Sequence, residues 1–259
     1  MEQAKEPSAK PRAYLIEIAK GALYLLIGAA AVRIVGMWLG NPMSSAVFGA
    51  AVVSLLLSRA GLSTEPLSID RGRKMVGSCL QGAAPILIIA LLAVTLGQAT
   101  VHISTPGTSW IFGTIESIGI AYRDELLLHG LVLLFAKRAG VPPRWAVIYA
   151  ATASVAAIAS LPEATVAGLA LTGSAGLWLA SLWQIKGDAW FPFAAHFGWV
   201  WLATTVLAGE PFDLAIQHHN LPYGASASGW MAWTAAACFL GFGIRLWPRL
   251  DQQWETWPA

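Results

Sequence analysis

Residues 109–136 read SWIFGTIESIGIAYRDELLLHGLVLLFA. The stretch is apolar at both ends and long enough to cross the roughly 30 Å hydrocarbon core of a bilayer as one helix. Its interior nevertheless holds Glu116, Arg123, Asp124, Glu125 and His129. An ionisable side chain inside a membrane span is costly unless it pairs or faces a polar cavity, so each one marks a candidate site. The stretch therefore predicts both a membrane span and the place where the chemistry lies.

Outward from it, the chain repeats segments of the same kind. Hydrophobic residues make up 56% of the chain and charged residues 12%, against about 25% charged in an ordinary soluble domain. A soluble fold of this length would need far more polar surface, so a bilayer must cover much of this one. Apolar runs at 14–39, 43–59, 76–98, 109–136, 144–161, 164–184, 189–208 and 228–247 predict eight spanning helices, the second being the shortest. Gly and Ala recur along them, as suits close helix packing in lipid. Many of the 13 tryptophans, Trp38, Trp110, Trp145, Trp183, Trp190, Trp230 and Trp247 among them, sit near the ends of these runs. That is where amphipathic rings collect at a membrane interface. Cys79 and Cys238 lie in apolar segments with no second Cys or His at metal spacing, which predicts neither a disulfide nor a zinc site.

Positive charge orients the bundle. With eight spans and the N-terminus inside, every Lys and Arg falls at or beside an inner connection except Arg33 and Arg123, which lie within spans. The outer connections, 99–108, 162–163 and 209–227, hold none. The expectation is an all-α polytopic membrane bundle with both termini cytoplasmic. It comprises a basic tail over 1–12, a transmembrane domain over 13–249 and a short cytoplasmic tail over 250–259. The expected location is multi-pass, in a bacterial inner (cytoplasmic) membrane. Nothing resembles a phosphate-binding loop or a nucleic-acid patch.

Apart from span four, ionisable groups deep in the spans are His196 in the seventh and Arg33 in the first. Glu125 and His129 are four residues apart and share a helix face. At about 1.5 Å per residue, His129 lies roughly 12 Å and Glu125 roughly 18 Å from the Lys137 anchor, and His196 roughly 15 Å beyond Lys186. The three reach one layer, which places a polar cavity in the cytoplasmic half. A carboxylate there can serve as a general base, and an adjacent imidazole can hold a water or stabilise an oxyanion. The other reading is that these groups pair with one another to join helices. Arg123 and Glu116 share a face and would form an internal salt link, and Arg33 would pair with Glu116 or Glu163 across the bundle. His218 and His219, with Glu210, Asp213 and Asn220, read as a solvated outer loop rather than a metal site. His102 stands alone in another.

Asp124-Glu125-Leu126-Leu127-Leu128-His129-Gly130 resembles the Glu-Glu-x-x-x-Arg-Gly motif of the CPBP (Abi) family of CAAX-type and bacteriocin-processing endopeptidases. Gly187-Asp188-Ala189-Trp190-Phe191-Pro192, leading into the helix of His196, is similar to the lead-in of that family's last motif. Gly176–Trp183 and Trp145–Ile148 fit its intervening helices. The resemblance covers about residues 120–201, within a family-like core over 109–208. It implies an eight-helix membrane fold. It also implies a glutamate-dependent intramembrane endopeptidase that uses an activated water on a membrane-anchored protein or peptide substrate. Carried over position by position, it makes Glu125 the general base, Asp124 and His129 supports for the water, and His196 the oxyanion stabiliser, with no cofactor.

The departures are specific. The first Glu is Asp124 and the Arg is His129. No His stands near 154–158, where the family has one, and Ser160 and Glu163 are the nearest polar groups; the final Asn is Val200. Three accounts fit: a divergent enzyme in which His129 replaces the missing His, an inactive member acting as a membrane binding or immunity protein, or a metal site at Glu125, His129 and His196.

Overall fold

The computed structural model describes residues 10–62, 69–208, 211–216 and 221–253. Glycine, proline and capping side chains set the helix ends. Helix α1 (Lys10–Leu39) stops at Gly40, whose φ of 57° suits only glycine well. Asn41 then caps α2 (Pro42–Arg59), its side chain accepting from the Ser44 N–H at 3.1 Å, with Pro42 in the first turn, where no N–H is needed. Helix α3 spans Ile69–Thr95, and strand β1 spans Ala99–Ile103. Helix α4 (Thr108–Asp124) continues through a π-helical turn (Glu125–Gly130) into α5 (Leu131–Arg138) as one rod. Helix α6 is Pro143–Ala159, and α7 is Val166–Lys186, capped by Thr165 and closed by Gly187 at a φ of 63°. Helix α8 (Trp190–Trp201) runs on through a second π turn (Leu202–Val206). After β2 (Phe212–Ile216) come α9 (Gly229–Leu246), a 3-10 turn (Trp247–Arg249) and α10 (Leu250–Gln253).

Each of the eight apolar runs corresponds to one helical rod. Four stretches, Tyr14–Leu39, Pro42–Arg59, Asp70–Thr95 and Val166–Lys186, are single helices long and apolar enough to cross a membrane. The all-α expectation needs one addition: β1 and β2 pair antiparallel, with His102 opposite Asp213. Two connections expected to be loops are thereby joined. His218, His219, Asn220 and Glu210 lie outside the described residues, as do 1–9 of the expected basic tail and 254–259 of the C-terminal one.

Helix α7 stands at the centre, against α6, α9 and the first π turn. Two apolar cores flank it. One joins α3, α7, α8 and α9, where Trp178 stacks on Phe239 with ring centroids 5.2 Å apart. The other joins α2, α5 and α6 around Leu131, Leu133 and Leu134. The outside is apolar as well: Leu15, Leu26, Met37, Leu55, Leu91 and Trp38 all face outward. Contiguous exposed apolar surface on this scale needs a cover, and four of the helices are long and apolar enough for lipid to supply it.

The α3–α8 contact fixes the placement of His196. A Cβ on Gly82 would collide with the Ala195 carbonyl oxygen, and one on Gly198 with the Cys79 carbonyl oxygen. Only glycine lets these two backbones touch, the small-residue device of helix pairs in lipid. The start of α8 is tied down too. The Asp188 carboxylate accepts from the Trp190 N–H at 2.6 Å and pairs with Arg71 Nε of α3 at 2.9 Å.

Candidate functional site

The first π turn carries the cluster. Here the Leu131 N–H bonds to the Leu126 carbonyl, five residues back, so the helix holds one extra residue in the turn. Glu125 and His129 point inward from it, and both are buried. The Glu125 side chain has no solvent exposure. Its Oε2 accepts from His129 Nδ1 at 3.0 Å and from Trp183 Nε1 at 2.9 Å, while its Oε1 accepts from His196 Nδ1 at 2.9 Å. One carboxylate thus joins the π turn, α7 and α8.

The carboxylate dictates the tautomers. Ionised Glu125 can only accept, and an indole N–H can only donate. Both imidazoles must therefore carry a proton on Nδ1, leaving Nε2 of each to meet whatever lies beyond. For His129 that is the Ser154 hydroxyl of α6, at 3.1 Å. His196 Nε2 makes no hydrogen bond among the described residues, and its ring stacks on Trp199.

Both rings form part of the wall of a cavity of about 110 Å³. Asp124, Ser154, Thr172 and Tyr223 also line it. That is room for several waters with polar partners on more than one side. Glu125 is not on the wall; it lies behind the two imidazoles that are. The carboxylate that does reach the cavity is Asp124, held by Arg123 Nε at 2.7 Å. This replaces the expected Arg123–Glu116 link: a neighbour at the end of α4 outcompetes a partner two turns away. Arg33 is exposed and makes no ion pair among the described residues, so its expected partnership with Glu116 or Glu163 is not formed.

The cavity lies toward the opposite end of the bundle from the one expected. Ile158 and Thr172, from the ends of α6 and α7 that flank connection 162–163, line it with Tyr223 and Gly224. The reason is that 221–227 is not a solvated loop but folds down onto the helices. Its Ala225 carbonyl accepts from the Thr165 N–H at 3.0 Å, and its Pro222 carbonyl accepts from Trp199 Nε1 at 3.1 Å. Tyr223 is thereby half-buried in the cavity wall. Burial, and then the Asp124 carboxylate, push its phenol above the ordinary range, so it remains an O–H donor.

The structure thus brings Glu125, His129 and His196 into one hydrogen-bonded unit and sets Asp124 on the cavity wall beside it. Reasoning from sequence missed Trp183, whose position near the end of an apolar run read as interfacial. It missed Tyr223 because the outer connection was counted as solvent. It passed over Ser154, noting only that no His stands there. Both Nδ1 atoms face the Glu125 oxygens at hydrogen-bond distance, and among the described residues no three His, Cys, Asp or Glu side chains converge as metal ligands do. Comparison with family models, with curated proteins and with solved structures finds no match for the chain.

Proposed function

We propose that the chain is an eight-span membrane protein with both termini cytoplasmic, and that the Glu125 cluster is the active centre of an intramembrane endopeptidase. The observation that carries this reading is the buried carboxylate that fixes two imidazoles from separate elements on the wall of one cavity with room for several waters. A base oriented by a third group is the general form of acyl-transfer machinery. The resemblance of 124–130 and 187–199 to CPBP motifs agrees with it.

In this reading Glu125 is a positioning residue. It holds each ring with Nδ1 protonated and balances the imidazolium that forms when Nε2 takes a proton. His196 Nε2, open to the cavity, takes the proton of a water. Tyr223 supplies an O–H toward charge developing in the cavity, and Asp124, already paired with Arg123, orders solvent there. The substrate is a membrane-anchored protein or hydrophobic peptide, since a bond must be brought to a site within the bundle.

One observation favours a second reading, a non-catalytic binding or immunity protein on the same scaffold: Glu125 is walled off from the cavity by its own partners. The test is Glu125→Gln and His196→Ala in the host membrane, read by the N-termini of membrane proteins. The protease reading expects one or more unprocessed proteins to accumulate in both variants. If both fold, insert and leave every N-terminus unchanged, the binding reading replaces it.

A further inference from the structure

The geometry points to Ser154 as a nucleophile, with His129 its general base and Glu125 the group that orients that base: a Ser–His–carboxylate triad inside the bundle. This rests on the protease reading and adds a covalent step to it.

The distances form a continuous relay. Ser154 Oγ lies 3.1 Å from His129 Nε2, and His129 Nδ1 lies 3.0 Å from Glu125 Oε2. Because ionised Glu125 requires the proton on Nδ1, Nε2 presents a lone pair to the serine, as a base must. Triads are recognised by this geometry and these roles rather than by chain order or fold.

Ser154 also differs from its counterparts. A helical serine satisfies itself by donating to the carbonyl four residues back. Ser117, Ser174 and Ser181 do so at 2.8, 2.7 and 2.7 Å. Ser154 is 3.1 Å from the Ala150 carbonyl, no closer than it is to the imidazole. The hydroxyl thus stands equally near its own helix and His129, able to turn its proton to either. Gly176 keeps the space beside it open: a Cβ there would sit 3.2 Å from Ser154 Oγ. Both Ser154 and Gly176 line the cavity.

The step balances without any further reagent. Ser154 Oγ attacks the carbonyl carbon of the scissile bond as its proton passes to His129 Nε2. The C–N bond breaks, the amine leaves with that proton, and the acyl group remains as an ester on Ser154. Water, losing its proton to His196 Nε2 across the cavity, cleaves the ester. The acid is released, and the proton returns to Ser154 Oγ through solvent.

The experiment is labelling of the full chain, in detergent, with an alkyl fluorophosphonate. Such a reagent exchanges its P–F bond for an Oγ–P bond only at an activated serine. Wild-type protein is expected to gain one adduct on the peptide holding Ser154. Ser154→Ala is expected to lose it, Glu125→Gln to be labelled at least ~10-fold more slowly, and Ser181→Ala to be labelled as wild type. Ser154→Cys keeps the shape of the site and should react with iodoacetamide faster than Ser181→Cys, which guards against a misfolded alanine variant. Absence of the adduct in folded wild type, or its persistence in Ser154→Ala, overturns the proposal. So does normal processing by Ser154→Ala where Glu125→Gln fails, a result that leaves the protease reading standing with water attacking directly. If Glu125→Gln, His196→Ala and Ser154→Ala all process normally, it is the protease reading itself that falls.

Discussion

The π turn at Glu125–Gly130 and the one at Leu202–Val206 depart from the α-helix in the same way, each with a backbone N–H reaching five residues back. Their side chains differ. The first offers a carboxylate and an imidazole; the second reads Leu-Ala-Thr-Thr-Val and has nothing that ionises. Its Thr205 Oγ1 meets Ser117 Oγ of α4 at 3.1 Å, a neutral link between rods. An extra residue in a turn is therefore not a site by itself. It shifts side chains off the regular stripe, and their chemistry decides whether the shift makes a buried ionisable cluster or only a neutral contact.

Variants can break or sharpen that contrast. The largest effect is expected at Glu125. Glu125→Ala removes the acceptor shared by three buried N–H groups, on His129, His196 and Trp183, which is expected to cost about 3 kcal/mol or more. Glu125→Gln keeps the volume and should lower peptide cleavage roughly 10³-fold. Thermal unfolding in detergent reads the first, product formation the second. His196→Ala should cut cleavage about 10²-fold, as for loss of a positioned base, with a smaller fall in stability. Trp183→Phe removes one donor to Oε2 but keeps most of the ring. About 1.5 kcal/mol, the lower end for a bond to a charged group, is the expected cost. Thr205→Val in the second turn should cost about 1 kcal/mol and leave cleavage unchanged. A loss of activity at Thr205 comparable to that at Glu125 would erase the distinction between the turns.

The smallest effect concerns pH. Burial holds the Tyr223 phenol above its ordinary value of 10.0. A group raised in the folded state contributes stability that is present below the unfolded value and lost as pH climbs past it. Stability should thus decline above about pH 10, where the unfolded chain ionises this phenol and the folded chain does not. Tyr223→Phe should remove that part of the alkaline decline, as read by melting at a series of pH values.

The rods were legible because the length of an apolar run is a local property: each of the eight runs, read without tertiary context, corresponds to one helical rod. The meeting of Glu125, His129 and His196 was legible because counting from the Lys137 and Lys186 anchors gives depth. Direction was not. The cavity's position depends on Tyr223 and Gly224 folding back from a connection, held by carbonyls of Pro222 and Ala225, and backbone acceptors leave no trace in side-chain identity. The π turn was equally silent, since Glu125 and His129 keep the four-residue spacing of an ordinary helix. The β1–β2 ribbon joins connections more than a hundred residues apart, and neither half alone signals the other.

The touching backbones of α3 and α8 bear on how a polypeptide could reach the cavity. On the protease reading, a membrane-resident substrate would come to this buried centre sideways, between two rods. With Gly82 against Ala195 and Gly198 against Cys79, neither α3 nor α8 has a side chain at these points to swing aside. That flank is closed by main chain packed on main chain, and the same contact fixes the placement of His196. On the protease reading, lateral passage is expected past Ile158, Thr172 and Tyr223, where side chains rather than main chain line the cavity.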